Sequence, residues 1–461
     1  MNRVPTPIWP ALVAALALAA SAPPTAAQSA DELSRALTPV GGERAANKDG
    51  TIPAWAAERQ DNGWAWGKPR LDGWKHKADK PLFSIDASNV DQHADKLSPG
   101  QVAVVKQTKG FRMDVYPTRR SCSVPDFVAE NTKKNIGFAK LAANGWQIQD
   151  AWVPGVPFPK PANGAEAMLN MQLRYRGVGN EFKAGATLVS PRKGSSEWIN
   201  YGYEQTFFWP WGSKGSRKLS EAGFTRSHVF FAYSSPAALA GQAGIITDAF
   251  DQLGTEAFYY FPGQRRVRRL PSYAYDAPQI GFENQYAIDE TQVFMGAIDR
   301  FDWKLAGKKE MLVPYNAFGV YEFNGKMTEI AQPDSINPKN RRYELHRVWV
   351  VEATVKSGVR HLAPKRTFYL DEDSWNAVLA EDYDAQGKLW KVREGYLIPV
   401  FEIGACDVAA FAQYNLVDGR YLLDFHAIGT GTDVRWSAEP SGPRMKASYY
   451  TPDNLRAISE R

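Results

Sequence analysis

The sequence has 461 residues, of which 44% are hydrophobic, and 55 basic against 50 acidic residues give it a formal net charge of +5. This length and composition predict a folded chain with a large core. The mild charge, without any recognisable nucleic-acid module, argues against a nucleic-acid partner. Its 15 Trp, 20 Tyr and 23 Phe residues are typical of wide sheet interiors and of apolar pockets.

The N-terminus has the three parts of a cleavable secretory signal peptide. Arg3 supplies a positive charge, an apolar stretch runs from Pro10 to Ala20, and small residues lead to Ala27. The stretch is shorter than the roughly 20 residues of a membrane helix, and the alternative is a buried N-terminal helix. We therefore predict a signal peptide over residues 1–27, export to the periplasm, and a mature chain with no membrane span. No Cys stands near the cleavage site, so we expect no lipid anchor.

Residues 28–95 have little periodic pattern and are rich in Gly, Pro, Lys, Asp and Trp. We predict that they form an extended arm packed on the body, and that residues 96–461 form a single domain. Ser98 begins the first helix, because the run from Ser98 to Gln101 matches a capping box with Pro at the first helical position. Gly110 is placed to end this helix.

Two more helices are predicted before the pattern changes. One begins after Asp126 and stops near Gly145, and the other begins at Asn163 with Glu166 at the capping-box position.

From about Leu188 onward the hydrophobic period is two, which predicts strands. The predicted strands cover 198–211, 229–233, 256–261, 265–270, 348–355, 366–370, 377–383 and 389–397. Tight-turn signals separate them, and Asn324-Gly325 is typical of a two-residue hairpin. Many short strands after three helices predict an α+β fold with helices packed against a large, curved antiparallel sheet.

The chain has only two cysteines, Cys122 and Cys406. In an oxidising compartment they are candidates for a disulfide bond. The alternative is two unpaired buried thiols.

The sequence contains no recognisable catalytic, metal or cofactor motif. None of the six histidines has zinc-ligand spacing, and neither a nucleophile elbow nor a phosphate loop is present. We therefore predict no metal, no cofactor and no catalytic residue. Two acidic runs have alternative interpretations. Residues 371–373 are of the type that holds a cation or supplies an acid/base pair, but we interpret them as a charged turn at a strand end. Residues 382–387 resemble a calcium loop but lack its closing Glu, and we interpret them as a hairpin turn.

A basic run, Arg265, Arg266, Val267, Arg268 and Arg269, lies on a predicted strand. The period of two places Arg266 and Arg268 on one face and the other three residues on the opposite face. The four arginines are our candidates for binding an anionic head group through charge-assisted hydrogen bonds. The alternative is a charged sheet edge that deters aggregation.

Short motifs along the mature chain match one known family, in order. They are LTPVG at 37–41, NKDGTIPAW at 47–55, KPLF at 80–83, KLSPGQ at 96–101, RMDVYPT at 112–118, NTKKN at 131–135, VPFP at 156–159, LRYRG at 173–177, PGQRRVRR at 262–269, YDAP at 275–278, FDWKL at 301–305, GKKEM at 307–311 and VPYN at 313–316. Each is modest alone, but together they resemble the family called domain of unknown function 1329.

This resemblance implies a fold similar to that of the lipoprotein carriers LolA and LolB, a half-open antiparallel β-barrel closed by helices, whose concave apolar face holds acyl chains. It carries over no catalytic residues. Members of the family are linked with transporters of the resistance-nodulation-division type and with outer-membrane proteins, which are therefore the expected partners.

Two functional hypotheses from different classes follow. The favoured one is a periplasmic carrier or binding protein for a lipid or other hydrophobic molecule, acting with an envelope transport system. The alternative is an exported hydrolase that acts on envelope or polymeric substrates through paired carboxylates. A structural partner that docks on an envelope complex overlaps with the first.

Overall fold

The computed structural model describes Met1 and residues 26–57, 63–250, 255–270 and 275–460. The predicted signal peptide falls almost entirely on residues 2–25, outside the described residues, and stays a prediction. The α-helices of the described part are α1 (Ala26–Arg35), α2 (Arg70–Gly73), α3 (Pro99–Gln107), α4 (Asp126–Asn135), α5 (Gly164–Gln172), α6 (Met327–Ile330) and α7 (Pro452–Ser459).

The strands are numbered in chain order. They are β1 (Phe83–Ile85), β2 (Met113–Val115), β3 (Lys140–Leu141), β4 (Ile148–Asp150), β5 (Trp152–Val153), β6 (Gly179–Val189), β7 (Ile199–Phe208), β8 (Arg217–Lys218), β9 (Thr225–Ser235), β10 (Ala243–Ala249), β11 (Glu256–Phe261), β12 (Arg266–Arg269), β13 (Phe301–Pro314), β14 (Tyr343–Val355), β15 (Lys365–Asp371), β16 (Ala377–Tyr383), β17 (Leu389–Val400), β18 (Ala405–Asn415), β19 (Tyr421–His426) and β20 (Arg435–Ser437).

One large sheet organises the described part of the chain. Its strands follow the order β1-β2-β14-β15-β16-β17-β18-β19-β6-β7-β9-β10-β11-β12, while β13 also pairs with β14 and β20 with β6. The pairings are antiparallel except for a single parallel contact between β2 and β14. The end strands β1 and β12 are not paired with each other in the described part, so the sheet curves without closing. The predicted α+β class, with a half-open antiparallel sheet, is confirmed.

Helices cover different parts of this sheet. Helix α5 packs on β13 and β14, α3 packs on β17, and α7 packs on β10, β11 and β12. Strand β1, within the predicted arm, pairs with β2 at the end of the sheet. The predicted domain boundaries stay a prediction. No α-helix of the described residues has both the length and the apolarity that crossing a bilayer requires.

Helix α3 begins as its sequence predicts. The Ser98 hydroxyl accepts a hydrogen bond from the Gln101 amide at 3.0 Å, and the Gln101 side chain accepts from the Ser98 amide at 3.0 Å. The predicted capping box is therefore confirmed. The helix ends at Gln107, three residues before the predicted end at Gly110.

Helix α4 is shorter than predicted. It ends at Asn135 and not near Gly145, and Lys140–Leu141 form a short strand instead. The Asn135 carboxamide accepts a hydrogen bond from the Trp152 amide at 2.7 Å and donates to the Trp152 carbonyl at 3.0 Å. These bonds to a distant segment replace the continuation of the helix, and Gly137 takes a positive φ of 77° that suits the turn.

The prediction of a two-residue hairpin at Asn324-Gly325 is wrong. Strands β13 and β14 are antiparallel neighbours, but residues 315–342 connect them, and Asn324-Gly325 form a turn before α6. This long connection contributes to the core, since the Tyr321 hydroxyl donates to the Tyr396 carbonyl at 2.7 Å. Packing of this connection against the core, rather than the local turn preference of Asn324-Gly325, therefore determines how the segment folds.

Candidate functional site

A cavity lies on the concave face of the sheet, beneath the segment between β12 and β13. The sheet side of its wall includes Tyr203 of β7 together with Val229, Phe231 and Tyr233 of β9. The connecting segment closes the other side with Phe282, Tyr286 and Met295. The space that water centres can occupy is about 50 Å³, enough for only a few water molecules.

One carboxylate forms the polar floor of this cavity. Asp424 of β19 accepts hydrogen bonds from the hydroxyls of Tyr203 at 2.8 Å, Tyr286 at 2.6 Å and Thr187. Burial raises the pKa of the Asp424 carboxyl, and the three hydroxyl donors act in the opposite direction. Burial beside Asp424 also raises the pKa of Tyr203 and of Tyr286 well above the usual value, which keeps both phenols neutral donors.

The register of the edge strands determines which arginines share the face of the cavity. Tyr259 of β11 lies opposite Arg268 of β12, and Phe261 lies opposite Arg266. Residues directly opposite each other in an antiparallel pair point to the same face of the sheet. Tyr259 also contacts Phe231 of the cavity wall, so Arg266 and Arg268 are on the concave face.

Aromatic rings connect the cavity to this edge of the sheet without a break. The ring centroids are 5.7 Å apart between Tyr233 and Phe231, 5.9 Å between Phe231 and Tyr259, and 4.8 Å between Tyr259 and Phe261. The Arg268 guanidinium is 5.9 Å from the centroid of the Phe261 ring. We call these four rings, from Tyr233 to Phe261, the aromatic row.

Arg265 and Arg269 are not part of this arrangement. Arg265 lies 3.8 Å from Glu460, just beyond α7 on the convex side, and Arg269 forms an ion pair of 3.0 Å with Glu256. Strand β12 is the last strand of the sheet path. The three arginines of β12 are divided between two faces, as the period of two predicts, whereas Arg265 precedes the strand with a positive φ of 50°. The position of the run at an edge is also compatible with protection against aggregation.

Buried ion pairs fix one part of the segment that covers the cavity. Asp289 lies 2.5 Å from Arg366 and 3.0 Å from His361, and Glu290 lies 2.7 Å from Lys391. Burial opposes the charge of Asp289, but Arg366 and the hydrogen bond from His361 outweigh it and hold the pKa of this carboxyl well below its usual range.

A second cavity, of about 220 Å³, lies between the arm and the 315–342 connection. It is larger but more polar, and two of the arginines that line it form ion pairs. Arg70 lies 2.8 Å from Glu402, and Arg342 lies 3.0 Å from Asp79. These groups therefore serve the packing of the arm, and we place the candidate binding site in the first cavity.

The two cysteines form a disulfide bond, with their Cα atoms 5.3 Å apart. It joins Cys122, which follows β2, to Cys406 in β18. The predicted disulfide bond is therefore confirmed, and the alternative of two unpaired buried thiols is wrong.

The two acidic runs are turns, as predicted. Residues 384–388 close the hairpin between β16 and β17, where the Asp384 amide donates to the Lys388 carbonyl at 2.9 Å. Asp371 ends β15 and residues 372–373 follow it, but all three carboxylates are buried, which the interpretation as a charged turn does not anticipate. Burial follows from coverage by the arm, because Arg120 donates both to Asp373 and to the Glu43 carbonyl.

Sequence reasoning missed the polar floor of the cavity. Tyr203, Tyr286 and Asp424 come from three distant parts of the chain. The pairing of β19 with β6 and of β6 with β7 brings Asp424 and Tyr203 together, and Tyr286 comes from the segment that covers the cavity. The one local signal is that these residues lie in segments whose hydrophobic residues alternate or that are rich in aromatic residues.

Comparisons with known proteins place these features in a family context. The uncharacterized protein PA3922 of Pseudomonas aeruginosa is 36% identical over 441 residues, which cover 94% of each chain. A crystal structure of a DUF1329 family protein from Desulfovibrio piger is 12% identical, covers 62% of this chain and 98% of that one, and has a TM-score of 0.42. A LolA superfamily protein from Nitrosomonas europaea is 12% identical, covers 64% of this chain and 99% of that one, and has a TM-score of 0.36.

The family model described as protein of unknown function DUF1329 matches residues 84–456. This match spans the sheet, the cavity and the arginine run, and it agrees with the motifs found in the sequence. The chain therefore belongs to the DUF1329 family.

Proposed function

We propose that this protein is a periplasmic carrier that binds a lipid or another hydrophobic molecule on the concave face of its sheet. The observation that carries the proposal is the aromatic row, which runs from the cavity to Arg268 without a break. Rings of this kind bury an apolar tail, at about 0.8 kcal/mol per CH₂ group. Arg266 and Arg268 stand at the far end, where an anionic head group would find charge-assisted hydrogen bonds.

The size of the cavity bears on how cargo enters. About 50 Å³ holds only a few waters, so an acyl chain needs part of the covering segment to move. The part that includes Phe282 is held by the Tyr201 hydroxyl, which donates to the Gly281 carbonyl at 2.6 Å. The part at Asp289 and Glu290 is held by buried ion pairs. We infer that cargo displaces the first part while the second stays in place.

Export and partners belong to the same proposal. The predicted signal peptide would deliver the chain to the periplasm, where the Cys122–Cys406 bond is chemically favoured. A transporter of the resistance-nodulation-division type or an outer-membrane protein would supply or receive the cargo.

The hydrolase alternative has less support. A glycosidase-like site needs two carboxylates about 5–10 Å apart on either side of a cleft. Among the described residues that line the concave cavity, Asp424 is the only carboxylate, and three hydroxyls bind it. This arrangement favours a binding site, and the prediction that the protein is not an enzyme stays a prediction.

Cargo binding can be tested directly. The chain, exported to a bacterial periplasm and purified, should release a bound lipid or hydrophobic compound in native mass spectrometry. After delipidation it should bind a fluorescent acyl probe. Ile246→Trp, which adds volume in the wall of the cavity, should weaken probe binding at least about tenfold, since the rings can no longer close on the tail.

The matched control is Val417→Trp, which adds the same ring at a side chain that is 67% exposed. It should bind the probe as the wild type does. An empty protein that also ignores acyl and hydrocarbon probes would contradict the proposal. So would an Ile246→Trp variant with wild-type affinity.

A further inference from the structure

Three side chains of metal-ligand type meet beneath the arm, outside the concave cavity. His346 is on β14, Asp371 ends β15, and Asp373 lies in the turn that follows. Each offers one nitrogen or oxygen atom, and the three atoms all lie within 4.8 Å of one another. All three side chains are buried, with exposed fractions of 1%, 0% and 2%. One imidazole with two carboxylates is a donor set that suits first-row divalent metals.

The orientation of His346 leaves a nitrogen available for a metal. Its Nε2 atom lies 3.1 Å from Glu344 Oε2, which also accepts a hydrogen bond from the Arg119 amide at 2.7 Å. Arg342 Nε donates to the other oxygen of Glu344 at 2.6 Å. A carboxylate held in this way accepts the Nε2 proton of His346, so that Nδ1 keeps its lone pair. A carboxylate that orients a histidine is the usual outer shell of a metal site.

The Tyr315 ring fixes the plane of this imidazole. The two rings are stacked with centroids 3.5 Å apart and an interplanar angle of 12°. The Tyr315 hydroxyl points to Asp371, at 3.4 Å. Ring orientation is therefore set before any ion arrives.

The incomplete set of partners around Asp371 also points to a bound ion. Asp373 is neutralised by Arg120, which donates to its two oxygens at 2.7 and 2.8 Å. Asp371 accepts from the Ser374 hydroxyl at 2.6 Å, but within the described residues its Oδ1 atom has no hydrogen-bond partner. No ion pair to Asp371 is found in that part of the chain either. A buried carboxylate without a cation is costly, so this position needs either a proton or a metal ion.

We propose that His346, Asp371 and Asp373 bind one divalent first-row transition-metal ion, with Zn²⁺ as the best match to this mixed donor set. Ligand atoms at about 2.0–2.2 Å from one ion are at most roughly 4.4 Å apart, so the side chains need only a small adjustment. The ion supplies the charge that Asp371 lacks and links β14 to the turn after β15. Both elements contact the arm: Arg347 of β14 donates to the Ala45 carbonyl at 3.2 Å, and the Glu43 amide donates to Glu372 of the turn at 3.2 Å.

This site is testable independently of cargo binding. The full chain is purified without a metal-affinity resin, stripped with a chelator and dialysed, and then titrated with Zn²⁺ and separately with Mn²⁺. Isothermal titration calorimetry and elemental analysis should show one tightly bound zinc ion per chain. Zinc should also raise Tm by several degrees, because an ion that binds only the folded state stabilises it.

Asp371→Asn keeps the shape of the side chain and removes its charge, so the fold should persist while zinc affinity falls at least about tenfold. Asp424→Asn is the matched control, since Asp424 is also a buried Asp that accepts hydroxyl hydrogen bonds, and it should bind zinc as the wild type does. His346→Gln provides a second ligand variant if Asp371→Asn does not fold.

The proposal is overturned if the stripped wild-type chain binds neither Zn²⁺ nor Mn²⁺ at one ion per chain. It is also overturned if Asp371→Asn or His346→Gln binds zinc with wild-type affinity. In the first case Asp371 holds a proton in place of the ion. Because the probe assay of the concave cavity uses no metal, failure of this proposal and failure of the carrier proposal give different results.

Discussion

Reversing the charge of Arg266 and Arg268 should weaken the binding of anionic amphiphiles. Both residues lie on the concave face, opposite Phe261 and Tyr259. An exposed arginine contributes about 0.5–1 kcal/mol to an ion pair, and Glu at the same place replaces attraction by repulsion of similar size. We therefore expect the double variant Arg266→Glu/Arg268→Glu to lose about 2 kcal/mol with one head group, which is about thirtyfold in Kd.

The control is Arg265→Glu/Arg269→Glu, which changes the net charge by the same amount at positions off the aromatic row. It should alter Kd less than about threefold. The assay is a titration with a fluorescent fatty acid, repeated with an uncharged probe of equal chain length, at low salt and at about 1 M salt. At 1 M the Debye length is only about 3 Å, so the difference between the variants should nearly vanish. Equal weakening by both double variants, or none by either, would refute the assignment of Arg266 and Arg268 to the head group.

Three further changes test the framework of the site. Asp289→Asn removes one of the two carboxylates that pair with Arg366, while Asp382 at 2.9 Å remains. It should lower the free energy of unfolding by about 1.5–3 kcal/mol in urea titrations, the range for hydrogen bonds to charged groups; a loss below about 0.5 kcal/mol would contradict this role. His426→Leu should stabilise the protein by about 1 kcal/mol near pH 8, because both ring nitrogens are buried without a partner in the described part. Burial lowers the pKa of His426 to about 3, so the wild type loses stability as the pH falls from about 6.5 toward 3. The stability advantage of His426→Leu should therefore grow over that range. A difference that does not change with pH would contradict the view that His426 is buried in its neutral form. Replacing Cys122 and Cys406 by Ser opens a loop with a sequence separation of 284. The free energy of unfolding measured by calorimetry should fall by about 4–5 kcal/mol. An unchanged Tm would show that the bond does not contribute to stability.

Features set by neighbouring residues were predictable from the sequence. The capping box at Ser98 involves atoms three residues apart. Strand β16 has the predicted bounds, and the division of Arg266, Arg268 and Arg269 between two faces follows from the pleat alone. Signals of this kind act over a few residues, and distant packing did not override them.

Features set by register or by packing at a distance were not predictable. Helix α4 ends where Asn135 bonds to Trp152, and the Asn324-Gly325 signal gave way to a connection that packs into the core. The polar floor at Asp424 needs the pairing of strands more than two hundred residues apart in sequence. No pattern in one sequence reports such pairing.

The same lack of local signal conceals the cluster under the arm. His346 and Asp371 are 25 positions apart, and they meet because β14 pairs with β15 so that Val348 lies opposite Asp371. Spacing rules for zinc sites describe ligands on one helix or one turn and do not detect ligands contributed by two strands.

The two proposed sites occupy different stretches of one sheet, which makes their functions separable. Five strands, β16 to β19 and β6, lie between β15 and β7 along the sheet path. Six steps of about 4.8 Å make roughly 29 Å along the sheet. The cluster beneath the arm is closed by buried ion pairs, whereas the aromatic row ends at exposed arginines on an edge strand. Burial and charge pairing at the first site suit a fixed structural ion, whereas the exposed arginines beside the covered cavity suit a ligand that enters and leaves. A lesion at Asp371 should therefore change metal content and leave probe binding intact, and a lesion at Ile246 should do the reverse.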